Sequence, residues 1–115
     1  MIKQPVYRYS ALVLRVVDGD TLDAEINLGF YTKITKRFRM AKINAPELKG
    51  ESAVAGAATK EWLKNRIEGK TILLDTHKGE DKYGRWICFA FDELCLDDKS
   101  INEEMVELGL AISYM

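Results

Sequence analysis

The sequence predicts a mainly β fold of the α+β class. The expected form is a five-stranded antiparallel barrel with one helix between the third and fourth strands and a short helix near the C-terminus. Three observations predict it. Runs of Val, Leu, Ile and aromatic residues, punctuated by Gly and Asp, outnumber helical patterns. One long helical pattern, residues 52–67, stands between the third and fourth of those runs. Ser100-Ile101-Asn102-Glu103 is a capping box that opens a second, short helix.

The elements follow in order. Residues 7–17 are rich in Val, Leu and Tyr and hold no helix breaker, which predicts a strand. Asp18-Gly19-Asp20-Thr21 is turn chemistry, because Asp side chains accept from local backbone N–H groups and Gly tolerates positive φ. Residues 22–28 alternate apolar and polar, the period of a half-buried strand. Gly29 marks a turn, and residues 31–43 predict a long third strand with a basic character: Lys33, Lys36, Arg37, Arg39 and Lys42. Three strands joined by tight turns form a meander.

Pro46 ends that strand and biases Ala45 away from helix. In the following helix Val54, Ala55, Ala58, Trp62 and Leu63 share an apolar face, and Gly69 is its terminator. Residues 71–75 predict the fourth strand, 78–84 a polar loop, and 86–91 the fifth strand, with 94–96 a short addition. In the last helix Ile101, Met105 and Leu108 share a face, and Gly109 stops it. A five-stranded barrel with a helix inserted at this point is the OB arrangement. Trp62 and Trp86 are expected at or near the core, and His77, the one histidine, at the end of the fourth strand.

The 115 residues suit a single domain, 1–115, and 47% hydrophobic residues suit a folded core. A net charge of −1 does not predict a general nucleic-acid binder, so any polyanion must be met by a local patch. No apolar run approaches the roughly 20 residues of a membrane span, and the first residues lack the apolar block of a secretory signal. The expectation is a cytoplasmic protein with no membrane partner, of prokaryotic or phage origin. Cys88 and Cys95 lack metal-ligand spacing and are expected as reduced thiols. Oligomeric state leaves no mark in the sequence.

Three segments carry candidate chemistry. Each has a plainer reading alone. Asp18-Gly19-Asp20-Thr21 can be only a hairpin turn, Asn44-Ala45-Pro46-Glu47 has the spacing of a helix cap, and Asp81-Lys82-Tyr83-Gly84-Arg85 can be a solvated loop. Together they supply what phosphodiester cleavage requires: hard oxygen ligands for a cation, a group that orients or deprotonates water, and fixed positive charge at the phosphoryl oxygens. Arginine suits the last role because its planar fork meets phosphate oxygens in pairs.

These segments, in this order and at about these spacings, resemble the staphylococcal nuclease (thermonuclease-like) family. The similarity rests on Val17-Asp18-Gly19-Asp20-Thr21, Phe38-Arg39, Ala45-Pro46-Glu47, Asp81-Lys82-Tyr83-Gly84-Arg85, Asn102-Glu103 and Gly109-Leu110-Ala111, and it runs from about residue 12 to 111. The resemblance implies an OB-fold and hydrolysis of DNA and RNA that depends on Ca2+, leaves 3′-phosphates and shows little base specificity. Mg2+ or Mn2+ are alternative cations, and single strands are the expected substrates. By the same resemblance Asp20, Asn44 and Ala45 would form the metal site, the last through its backbone carbonyl. Arg39, Glu47 and Arg85 would be catalytic, and Lys82, Tyr83 and Tyr114 would bind substrate. Asn44 stands where the family commonly has a second aspartate, and Ala45 where a threonine is frequent. Two further readings compete. One is a non-catalytic OB module that binds single-stranded nucleic acid or a partner protein. The other is a structural protein that merely reuses the barrel.

Arg39 and Asn44 pose a geometric demand. Five residues apart on a regular strand, they would face opposite ways. The chain must coil or bulge between Met40 and Asn44 to bring them together.

Overall fold

The computed structural model describes residues 7–80, 86–93 and 99–113, with backbone alone at 77–80. The elements are β1 (Tyr7–Asp18), β2 (Thr21–Gly29), β3 (Thr32–Met40), β4 (Ile43–Asn44), α1 (Ala53–Ile67), β5 (Thr71–Glu80), β6 (Trp86–Asp92), α2 (Ile101–Glu107) and β7 (Ile112–Ser113). A single 3-10 turn, Gly50–Ser52, leads into α1.

Strands β1, β2, β3, β6 and β5 close into a barrel in that order, an OB-like α+β fold. Four seams are antiparallel, and the closing seam β3–β6 is parallel. Parity demands this: five strands in a ring cannot alternate direction all the way round. The strands curl with the help of register shifts in β1 between Val13 and Arg15 and between Val16 and Asp18. The Glu68 carboxylate accepts from the Val16 N–H at 2.9 Å, which satisfies a backbone donor at the distorted stretch.

Period-2 alternation fills the interior as the sequence implies. Leu22, Ala24 and Ile26 of β2 point inward and meet Val13, Met40, Leu74, Cys88 and Ala90. Trp62 and Trp86 pack partly buried against this core. Cys88 is a free, fully buried thiol, and burial pushes its pKa up to about 12, so it is an inert packing residue.

Four elements differ from the sequence reading. The third strand ends at Met40. Ala41 and Lys42 form a turn with Lys42 at φ 62°, and the chain resumes as β4, which pairs with β7. β5 continues to Glu80, so residues 78–80 are strand rather than loop. The buried stripe of α1 is Gly56, Thr59, Leu63 and Ile67, while Val54 is 83% exposed and Ala55 and Ala58 also face solvent. Leu108, expected to be packed, is 58% exposed; Asn102 is buried in its stead. The loop expected at 81–84 and the short strand expected at 94–96 lie outside the described residues, as does Cys95.

The ends of α2 are built as the sequence reads. Ser100 Oγ accepts from the Glu103 N–H at 3.0 Å. At the far end Gly109, at φ 75°, donates to Val106 O and Leu110 donates to Met105 O, the paired bonds of a Schellman stop. No described helix is long and apolar enough to cross a membrane.

The β2–β3 turn is unusual. Phe30 and Tyr31 both have positive φ, 55° and 61°, the conformation of a two-residue hairpin turn that favours Asn-Gly. Each non-Gly residue held there costs roughly 1–2 kcal/mol.

Candidate active site

Three connections meet at one end of the barrel: the β1–β2 turn, the Ala41-Lys42 turn, and the segment that leaves β4 towards α1. The β1–β2 turn is tight. Asp18 Oδ1 accepts from the Asp20 N–H at 3.2 Å, and the Asp20 carbonyl accepts from the Met40 N–H at 2.8 Å. The second bond fixes the turn against the end of β3. Gly19 is required by close packing: a Cβ there would lie 2.6 Å from Ala45 Cβ and 2.8 Å from Thr59 Cγ2.

Asp20 and Arg39 form the centre of the site, each with its side chain about 14% exposed. Asp20 Oδ2 accepts from the Ala45 N–H at 3.0 Å and lies 3.6 Å from Arg39 Nη1, while Oδ1 accepts from the Thr21 hydroxyl at 3.1 Å. Burial raises the Asp20 pKa above its ordinary value. The Ala45 N–H pulls it back, the neighbouring Asp18 carboxyl pushes it up, and Arg39 pulls it down. Asp20 is thus an incompletely neutralised carboxylate held in a partly dry place.

Arg39 donates through Nη2 to Asn44 Oδ1 at 2.6 Å and through Nη1 to the Met40 carbonyl at 2.6 Å. The demand for a bend between Met40 and Asn44 is met by a full turn, with Lys42 left-handed, instead of a bulge within one strand. That turn is held from behind. Ala41 donates to Cys88 O, and the buried Asn102 amide donates to Ala41 O at 2.9 Å and to Cys88 O at 3.2 Å while accepting from the Ala90 N–H at 3.0 Å. The sequence marks Asn102 only as part of a motif; its work as a clasp between α2, β6 and the turn is visible only in three dimensions.

The segment 45–47 is not the start of a helix, so the cap reading of Asn44 is set aside; Asn44 is the last residue of β4. Helix α1 begins later, at Ala53, and its Gly56 lies against this segment. A Cβ there would stand 2.3 Å from Glu47 O and 2.9 Å from Pro46 O. Ser52 Oγ also donates to Glu47 O at 3.2 Å. The Glu47 backbone is therefore gripped, while its side chain is exposed and makes no hydrogen bond or ion pair among the described residues.

The structure thus brings Asp20, Arg39, Asn44 and Ala45 into direct contact and places Glu47 two residues beyond, with its carboxylate in solvent. Arg85, Lys82, Tyr83 and Tyr114 lie outside the described residues. No cluster of three or more His, Cys, Asp or Glu ligands occurs among the described residues. The donor chemistry nevertheless fits a hard cation: a carboxylate kept short of compensation by burial and by Asp18, an amide oxygen beside it, and one guanidinium now bridging the two.

Comparison with known proteins places the chain among relatives. The chain is 31% identical over 110 residues to a micrococcal nuclease of Shigella flexneri, covering 89% of this chain and 56% of that protein. It is 28% identical over 107 residues to protein ParB of Escherichia coli, covering 89% and 55%. It is 37% identical over 79 residues to the probable endonuclease LCL3 of Colletotrichum graminicola, covering 66% and 29%. The chain thus spans only part of these relatives, little more than half of the first two. The family described as staphylococcal nuclease homologues matches residues 37–115, a span that holds Arg39, Asn44, Ala45 and Glu47 and begins after Asp20, and the chain belongs to that family.

Proposed function

We propose that this site hydrolyses phosphodiester bonds of DNA or RNA, with Ca2+ as its cation, little base preference and 3′-phosphate products. The observation that carries the reading is the Arg39 guanidinium, which is held between the Asp20 carboxylate and the Asn44 amide. A guanidinium so fixed suits the equatorial oxygens of a phosphoryl group. Relatives named micrococcal nuclease and probable endonuclease support it.

Asp20, Asn44 and the Ala45 carbonyl would hold the cation, with water completing a shell of about 6–8 oxygens. When bound, the cation supplies charge that polarises the phosphoryl oxygens and acidifies water. The chain's own groups do the rest. Arg39, with Arg85 as its proposed second, binds the non-bridging oxygens and offsets the charge that grows on them. Glu47, whose carboxylate has no protein partner among the described residues, orients water and takes its proton. Water attacks phosphorus in line; the new P–O bond forms as the bond to the 5′ oxygen breaks, and that oxygen leaves with a proton from solvent. Lys82, Tyr83 and Tyr114 would hold the substrate's phosphate and bases. Base identity matters little because phosphate contacts and stacking carry no sequence code.

The test is cleavage of single-stranded DNA and RNA by purified protein, with Ca2+ and with chelator. Cation-dependent cleavage that Arg39→Ala abolishes is expected. No cleavage with Ca2+, Mg2+ or Mn2+, together with an Arg39→Ala protein identical to the parent in nucleic-acid binding, would overturn the reading. One observation favours a non-catalytic binding module instead: Arg39 already occupies Asn44 Oδ1, the oxygen a cation would use. That module would bind single strands without metal and lose affinity steeply with salt.

A further inference from the structure

β2 and β3 outrun the barrel. β1 pairs with β2 only as far as Ala11 opposite Ile26, and β6 pairs with β3 only at Phe38, Arg39 and Met40. Beyond those points residues 27–37 form a two-stranded arm whose outer edges have no ladder partner among the described strands. Its tip is Phe30 and Tyr31, 98% and 106% exposed, with Leu28 and Ile34 partly exposed behind them.

Three features of the arm call for one explanation. First, two aromatic residues occupy a turn in which Asn-Gly would be easier, and they touch nothing that repays the strain. Second, residues 27–42 contain Lys33, Lys36, Arg37, Arg39 and Lys42 and no acid, although the whole chain carries a net charge of −1. Arg37 pairs with Asp23 and Lys33 lies 3.7 Å from Glu25, but Lys36 is exposed and has no ion pair among the described residues. Third, side chains alternate along β3, so Lys33, Arg37 and Arg39 stand on one side of the strand, and that row ends in the candidate site.

Aromatic faces interleaved with cations are the chemistry of single-stranded nucleic-acid binding, where bases stack and phosphates follow the charge. We propose that the β2–β3 arm is a second station for a single strand of DNA or RNA. Bases stack on Phe30 and Tyr31, and the backbone runs along the Lys33–Arg37 side towards Arg39. The proposal rests on the phosphodiesterase reading for the strand's other end. Nine residues of extended chain separate tip from site, about 25–30 Å. A dinucleotide cannot reach both; a long strand can.

The test compares the parent with Phe30→Asn/Tyr31→Gly, a pair that suits the turn better and so keeps the fold, and with Lys33→Gln, which removes a charge from the proposed path. Three quantities are read: kcat/KM on a long single-stranded oligonucleotide relative to a dinucleotide, anisotropy of a labelled long strand in chelator, and sedimentation of protein alone and with anionic vesicles. The turn variant is expected to lose about tenfold or more in long-strand affinity, through KM and not kcat, so that the ratio of long to short substrate falls by the same factor. The lysine variant should flatten the salt dependence of binding. A parent that cleaves both substrates, with an unchanged ratio and unchanged long-strand affinity in the turn variant, overturns the arm and leaves the site reading standing. A parent that cleaves neither substrate sinks the site reading, and anisotropy then decides the arm alone. If the turn variant instead abolishes vesicle binding or parent dimerisation while long-strand affinity stays intact, the tip serves a membrane or a second copy and the proposal is wrong.

Discussion

A Cβ on Gly56 would sit 2.3 Å from the carbonyl oxygen of Glu47, so helix α1 touches the segment that carries the proposed water-orienting carboxylate with nothing between them. In an ordinary exposed helix interior Gly→Ala stabilises by roughly 0.5–1 kcal/mol. Here Gly56→Ala must push backbone aside. Overpacking of this kind costs about 1–3 kcal/mol, and Glu47 moves with its backbone. The expected outcome is a lower denaturation midpoint and a fall in cleavage, read by urea titration and turnover. A more stable variant with full activity would contradict the packing argument.

Asn44→Asp exchanges a neutral amide oxygen for a carboxylate beside Arg39. Added charge should tighten Ca2+ by at least about tenfold, since 1.4 kcal/mol suffices for that factor and a unit charge pair at 4 Å interacts by about 4 kcal/mol at an effective dielectric near 20 before desolvation. The new carboxylate also strengthens the hold on Arg39, which works in the opposite sense. Calorimetric titration of both proteins with Ca2+ decides; equal affinity would contradict the expected gain.

Asn102→Ala removes an amide that donates to Ala41 O and Cys88 O and accepts from the Ala90 N–H in a fully buried place. Orphaned buried backbone groups cost about 1–3 kcal/mol each, so a loss of about 2–4 kcal/mol is expected, together with reduced cleavage, because the turn bearing Asn44 loses its support. Thermal melts and turnover measure the two effects. A change in stability with intact cleavage would restrict Asn102 to folding.

Arg66 joins three elements, with its fork on Asp92 at 2.6 and 2.7 Å and its Nε on Glu104 at 3.0 Å. Arg66 holds the Asp92 pKa below its ordinary value of 3.8. The folded chain therefore binds this proton more weakly than the unfolded chain does. The stabilisation is present above about pH 4 and is lost as pH falls through the depressed folded value. Asp92→Asn should lower the melting temperature at neutral pH, and the gap to the parent should close on acidification. It should also narrow in high salt, because Asp92 is half exposed. A gap independent of pH would contradict this.

What the sequence made legible follows from local rules, and what it hid follows from neighbours. The alternation of residues 22–28, the Asp18-Gly19 turn and the Ser100 cap are read correctly because each is decided within a few residues. The face of α1 is misread because the inward stripe holds Gly56 and Thr59, chosen for closeness to residues 45–47 and 110, not for hydrophobicity. The end of β3 is hidden because Lys42 adopts a left-handed conformation that neither Gly nor Asn announces. At the site, the identities of Asp20, Arg39, Asn44 and Ala45 were legible as a set; their mutual bonds depend on a turn that Asn102 and Cys88, distant in sequence, help to hold in place.

The parallel seam has a dynamic consequence. It joins β3 to β6 through only three paired positions among the described residues, and Arg39 is the middle one. A cylinder that breathes does so where its lock is shortest, so amide protons near Met40, Ala41 and Ala90 should exchange with deuterium well before those of β1 and β2. Each such opening would slacken the guanidinium without melting the rest, so the rate of this local breathing sets how freely the site can trade its resting contacts for a ligand.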